Sequence, residues 1–163
     1  MRAILVEDDA DLRRRTREVL TRLGYVSIDG DDLDNVIGIF LQWSKAPPPA
    51  LLVVDVALPG PMDGIDVLCG VRKARIERDW WPEDHTPAIV VTSGIYKETH
   101  GVAEIIRKNR AVFLPKPYTS EQLSTAIEEA QRAATEWGSL SEIKTVSPPR
   151  SDAAAADDAP LSG

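Results

Sequence analysis

The chain has 163 residues, enough for one domain with a proper core and little else. Hydrophobic residues make up 43% and charged residues 28%, a soluble globular balance, and the net charge of −7 repels phosphate backbones and argues against nucleic acid as a direct partner. No stretch approaches the roughly 20 apolar residues of a membrane span, the N-terminus lacks a signal-peptide layout, and the single cysteine, Cys69, forbids an internal disulfide, so the expected compartment is the cytoplasm.

Strand-type and helix-type segments alternate along the chain. "AILV" (Ala3 to Val6) is a short apolar strand that halts at the acids Glu7, Asp8 and Asp9. A helical pattern follows, with Leu12, Thr16, Val19, Leu20 and Leu23 on one face and Gly24 closing it. The run Arg13 to Arg15 lies in this helix and reads as a solvated face. "YVSI" (Tyr25 to Ile28) is the second strand, and Leu33, Val36, Ile37, Phe40 and Leu41 mark a second helix that ends before Pro47 to Pro49. "LLVVD" (Leu51 to Asp55) has the near-continuous apolar character of a strand buried on both faces.

A turn, "LPGPMDG", leads into a third helix from about Gly64 to Arg78, in which Cys69 reads as a small core residue. Trp80, Trp81 and His85 fall in a polar loop, and the tryptophans fit either an interface anchor or a lid over the third helix. "AIVVT" (Ala88 to Thr92) is the fourth strand, a weaker helix spans about Glu98 to Lys108, and "AVFL" (Ala111 to Leu114) is the fifth strand. His85 and His100 are expected in solvated loop-like contexts. Thr119 and Gln122 form a capping box for a strong helix reaching Trp137. Five such βα units predict an α/β fold of flavodoxin-like type: a doubly wound, five-stranded parallel sheet, order 2-1-3-4-5, with five helices. Past Gly138 the composition turns to Pro, Ala, Ser and Asp, so the domain is placed at residues 1–138 and a disordered tail at 139–163.

Polar residues collect at the strand ends: Glu7 and Asp8 after the first strand, Asp55 on the third, Thr92 on the fourth and Lys116 after the fifth. Ligand sites in open α/β sheets lie at those ends. With the first and third strands adjacent, Glu7, Asp8 and Asp55 converge. Neighbouring carboxylates about 4 Å apart repel by roughly 4 kcal/mol at an effective dielectric near 20, so they need a proton or a cation. Lys116 is one cation. A hard divalent ion such as Mg²⁺ suits an oxygen-only ligand set as the second. Helix capping alone could explain the three acids after the first strand, but not Asp55, Thr92 and Lys116 at matching strand ends.

The pieces "ILVEDD", "LLVVDVALPGPMDG", "VVTSG" and "FLPKPY", in this order and near this spacing, resemble the receiver domain of two-component response regulators over about residues 1–137. "GPMDG", "VVTSG" and "FLPKPY" also resemble small stand-alone receivers of alphaproteobacteria. The resemblance implies that Asp55 is the phosphoacceptor, that Asp8 and Asp55 are direct Mg²⁺ ligands, that Glu7 acts through water, and that the backbone carbonyl of Ala57 is a further ligand. It implies that Thr92 is the switch hydroxyl, Phe113 the switch aromatic and Lys116 the phosphate-pairing cation, with a cis Lys116–Pro117 bond. Asp9 is left as the cap of the first helix. The implied partners are a histidine kinase or histidine phosphotransfer protein and an effector protein of unknown identity. The face formed by the fourth helix, fifth strand and fifth helix is a candidate for that contact or for a homodimer.

No attached output domain is expected, and the only chemistry expected is the chain's own phosphoryl transfer and dephosphorylation. A phosphate shuttle or sink in a phosphorelay is the alternative. An aspartyl-phosphate phosphatase fits worse, because such enzymes need a second Asp where this chain has Ala57. A flavin-binding module fits worse too, because the acidic cluster repels a flavin phosphate. "LPGPMDG" and the stretch before Thr92 are longer than in most receivers, which affects partner choice rather than the site.

Overall fold

Asp9 caps the first helix. Its carboxylate accepts from the backbone N–H groups of Asp11 and Leu12, both at 2.9 Å, which satisfies two of the orphan donors of a helix start. The computed structural model describes residues 1–30, 49–59, 63–69, 87–94 and 100–141. Within them lie β1 (Arg2–Val6), α1 (Ala10–Arg22), β2 (Val26–Gly30), β3 (Leu51–Asp55), a helical stretch at 64–69, β4 (Ala88–Ser93), α2 (His100–Lys108), β5 (Val112–Pro115) and α3 (Ser120–Ser141). The expected second helix, the remainder of the third, the Trp80–Trp81 loop with His85, and the chain past Ser141 lie outside the described residues.

All four strand pairings are parallel, and the order is β2-β1-β3-β4-β5, as the alternation predicts. Successive side chains of a strand point to opposite faces, and the two apolar sets feed two cores. Leu5, Val53, Val90 and Leu114 pack with Val19 and Leu20 of α1 and Leu123 and Ile127 of α3. Ile4, Val54, Ile89 and Val91 pack on the other side with Ile65 and Leu68 of the 64–69 stretch and Ile106 of α2. β3 and β4 are buried along their whole length, which is why they read as unbroken apolar runs. Pro115 fits in β5 because that strand is an edge.

Several local expectations shift. β2 starts one residue later and runs further, because Tyr25 closes α1 instead: it is buried, and its N–H donates to the Leu20 carbonyl at 2.9 Å. Gly24 supplies the required left-handed turn at φ +81. Leu23 caps α1 and is exposed rather than on its buried face. Cys69 is exposed, not core, since the apolar face of its helix is taken by Ile65 and Leu68. His100 is the first residue of α2 rather than a loop residue. The capping box is present: Thr119 N–H donates to Gln122 Oε1 at 2.8 Å, and Gln122 N–H to Thr119 Oγ1 at 3.2 Å. α3 continues through Gly138 to Ser141.

Candidate functional site

The sheet delivers its polar residues to one end. Glu7 is the first residue past β1 and is 1% exposed; its N–H donates to the Gly30 carbonyl at 3.2 Å. Asp8 and Asp9 follow on the exposed rim. The Asp9 N–H faces both acids before it, at 3.3 Å from Glu7 Oε1 and 3.0 Å from Asp8 Oδ1.

Asp55 ends β3 and is 3% exposed. Its Oδ1 accepts from the Ala57 N–H at 3.1 Å. Thr92 is its register partner on β4 and is also buried. The Thr92 hydroxyl has no hydrogen-bond partner among the described residues. Its carbonyl accepts from the Val56 N–H at 2.9 Å, which ties the two strand ends together.

Lys116 closes the group from β5. Its N–H donates to the Ser93 carbonyl at 2.9 Å, and the Lys116–Pro117 bond is cis. Its Nζ donates to Asp55 Oδ2 at 2.6 Å and to Glu7, 2.8 Å from Oε1 and 2.7 Å from Oε2. One ammonium therefore serves two buried carboxylates. Burial raises the Glu7 pKa above its usual value, although the hydrogen bond and charge of Lys116 oppose this. Burial pulls the Lys116 pKa down, but its bonds to Asp55 and Glu7 outweigh that and leave it above the ordinary lysine value.

Ligand oxygens of Glu7, Asp8 and Asp55 lie within 4.8 Å of one another. Three carboxylates against one ammonium leave two negative charges unbalanced. The donor set is hard oxygen throughout, so residues and charge both fit a divalent ion of the Mg²⁺ kind. Ala57 is exposed next to Asp55, on the rim of this group.

Phe113 is paired in register with Val91, not with Thr92, which pairs with Leu114. Phe113 therefore sits half-buried against the core that includes Val91 and Ile106. It is not in the carboxylate group.

Three further contacts around the site involve residues given no site role from sequence. Gly64 donates its N–H to the Val56 carbonyl at 3.1 Å, and a Cβ there would stand 2.0 Å from the Asp55 carbonyl oxygen. The glycine that ends "LPGPMDG" was its only signal. Thr16 Oγ1 and the Tyr118 hydroxyl are 3.0 Å apart, linking α1 to the segment that carries Lys116. Arg13 is not on a solvated face: its Nη1 donates to the Glu7 carbonyl at 2.6 Å. Arg14 does behave as expected, pairing on the surface with Glu18 and Asp11.

A family model described as the response regulator receiver domain matches residues 3–128. The chain belongs to that family. The membership makes it a receiver domain of a two-component system, with a signalling role tied to phosphorylation. No curated protein matches it. Among solved structures, NtrX from Brucella abortus in complex with ATP is similar at TM-score 0.67 and 22% identity, over 87% of this chain and 29% of that one. The receiver domain of NtrX from Brucella abortus, solved by itself, gives TM-score 0.59 and 22% identity, over 80% of this chain and 98% of that chain. The signal receiver domain of a modulated diguanylate cyclase from Desulfovibrio desulfuricans G20 gives TM-score 0.59 at 19% identity, over 85% and 96%. These likenesses support the receiver fold. No helix among the described residues is long and apolar enough to cross a membrane.

Proposed function

We propose that Asp55 is the phosphoacceptor of this receiver domain, taking a phosphoryl group from a histidine kinase or histidine phosphotransfer protein. The observation that carries this reading is the Lys116 ammonium held between two buried carboxylates, 2.6 Å from Asp55 Oδ2 and 2.7 Å from Glu7 Oε2. A cation in that position can pass a hydrogen bond from a carboxylate to an arriving phosphoryl oxygen without moving far.

In the proposed reaction an Asp55 carboxylate oxygen bonds to phosphorus while the donor's N–P bond breaks, and the imidazole nitrogen keeps the electron pair. Such transfer depends on positioning and charge neutralisation. Lys116 donates to one phosphoryl oxygen. Thr92, buried beside Asp55 with no partner for its hydroxyl among the described residues, donates to another. Asp8, Asp55 and the Ala57 backbone carbonyl would hold Mg²⁺ directly, and Glu7 through water. When bound, Mg²⁺ neutralises charge on the carboxylates and the phosphoryl group. The chain's own phosphoryl transfer and dephosphorylation are the only chemistry proposed for it. The signal leaves by protein binding, through the face made by α2, β5 and α3.

The test is incubation with acetyl phosphate and Mg²⁺, borohydride reduction, and mapping of the product. One modified residue, Asp55, is expected, lost in Asp55→Asn and reduced to near nothing by EDTA or by Asp8→Ala. Modification that persists in Asp55→Asn, or that ignores EDTA, overturns the reading.

A further inference from the structure

Arg13 is the cation of α1 that turns toward the site. It lies one turn into the helix, where its N–H donates to the Asp9 carbonyl at 2.8 Å. Helical side chains lean toward the N-terminus of their helix, which sends the guanidinium back over the end of β1. There Nη1 donates to the carbonyl oxygens of Glu7 at 2.6 Å and Asp8 at 3.3 Å. The other side of the fork faces β2, with Nε 3.9 Å from Asp29 Oδ2. Asp29 also pairs with Arg17.

Glu7 and Asp8 are the first residues past β1, where the ladder of strand hydrogen bonds ends. The last rung is the Glu7 N–H on the Gly30 carbonyl at 3.2 Å. Beyond it, Arg13 holds the next two carbonyls. The backbone that aims both acidic side chains is thus fixed by a side chain that touches neither carboxylate.

We propose that Arg13, braced by Asp29, is a positioning residue for the acidic pair, holding the Glu7 and Asp8 backbone so that their carboxylates are pre-arranged for a divalent cation. The proposal rests on the metal reading of the site given above. Simple charge predicts the opposite sign. A guanidinium near two carboxylates repels Mg²⁺, so removing it should tighten binding if electrostatics alone mattered.

The test is calorimetric titration of Mg²⁺ into the intact protein with no phosphodonor, with melting temperatures read alongside. Arg13→Ala should bind Mg²⁺ about tenfold more weakly than wild type, the low end for loss of an outer support at a metal site. Arg13→Lys keeps the charge but not the fork, and should fall between the two. Asp29→Asn should weaken binding by less, and should add nothing when combined with Arg13→Ala, because the two act through one path. Arg13→Ala that binds Mg²⁺ as tightly as wild type, or more tightly, overturns the proposal. If Arg13→Ala does not fold, wild-type affinity in both Arg13→Lys and Asp29→Asn overturns it. A wild-type protein that binds no Mg²⁺ overturns the metal reading and this inference together, whereas a bound wild type with unaffected variants overturns the inference alone.

Discussion

Lys116 and Asp55 stand 61 positions apart in the chain and meet at 2.6 Å, with Glu7 on the same ammonium. Removing the cation leaves two buried carboxylates facing each other. Breaking a buried ion pair from one side costs about 3–5 kcal/mol. Lys116→Met should therefore lose stability in EDTA by an amount of that order, and Mg²⁺ should restore part of it by returning positive charge. Urea unfolding with and without Mg²⁺ reads both effects. Stability equal to wild type in EDTA would show that the bridge does not hold the site together.

Gly64 makes the case for backbone supply. With the Asp55 carbonyl oxygen 2.0 Å from where its Cβ would be, Gly64→Ala cannot be accommodated without moving either the 64–69 stretch or the end of β3. Overpacking of this kind costs about 1–3 kcal/mol. Phosphorylation from acetyl phosphate should slow as well, since Asp55 shifts relative to Lys116. A substitution with neither effect would mean that the turn before Gly64 yields freely.

How far the sequence could be read follows from what each feature depends on. β3 and β4 were legible because a strand buried on both faces has nowhere to put a polar residue until its end, and that end is Asp55 in one and Thr92–Ser93 in the other. The Asp9 cap and the Thr119–Gln122 box were legible because both are local contacts of two or three residues. Arg13 was misread because helical spacing says which face a residue occupies, not that a long side chain will bend back along the axis. Cys69 was misread because its helix spends its apolar face on neighbours at other positions. Lys116 was legible as a polar residue at a strand end and as a cation near the acids, but its bonding to both Glu7 and Asp55 depends on side-chain reach across three strand ends, which no local pattern encodes.

Tyr118 gives the site region a dependence on alkaline pH. Burial lifts its pKa above the ordinary 10.0, and the hydrogen bond with Thr16 only partly offsets this. A raised folded-state pKa means that the unfolded chain ionises first. The stability it contributes is whole below 10.0 and is lost as pH rises through the folded value. Lys116, also raised, loses its contribution as pH climbs through its own folded value, from above 10.5. Comparison of two proteins isolates the tyrosine. Tyr118→Phe should lose stability less steeply than wild type above about pH 10, and near neutrality should be weaker by about 1 kcal/mol for the Thr16 hydroxyl left buried and unpaired. Parallel alkaline curves would remove Tyr118 from the account.

Substitution at Thr92 should separate the proposed chemistry from its readout. Its hydroxyl is buried with no partner among the described residues, so deleting it costs no hydrogen bond to any of them. Thr92→Ala should melt close to the wild-type temperature, since the loss of a buried methyl opposes the relief of burying a hydroxyl, and should still be phosphorylated at Asp55, because Lys116 remains. The loss should appear elsewhere. Phosphorylation is expected to draw the Thr92 hydroxyl toward the phosphoryl group and to free space that Phe113 fills. Phe113 lies across from Val91, one residue before Thr92, and packs near Ile106 of α2. A shift at Thr92 is therefore expected to reach Phe113 through the β4 backbone and to bias α2, β5 and α3 between two arrangements. Amide hydrogen exchange reads this without a known partner. Beryllofluoride with Mg²⁺ should change exchange across residues 100–141 in wild type, and Thr92→Ala should bind the same mimic while leaving those amides at their resting rates. An equal response in Thr92→Ala would mean that the surface is informed by another route, and that the hydroxyl serves only the transfer itself.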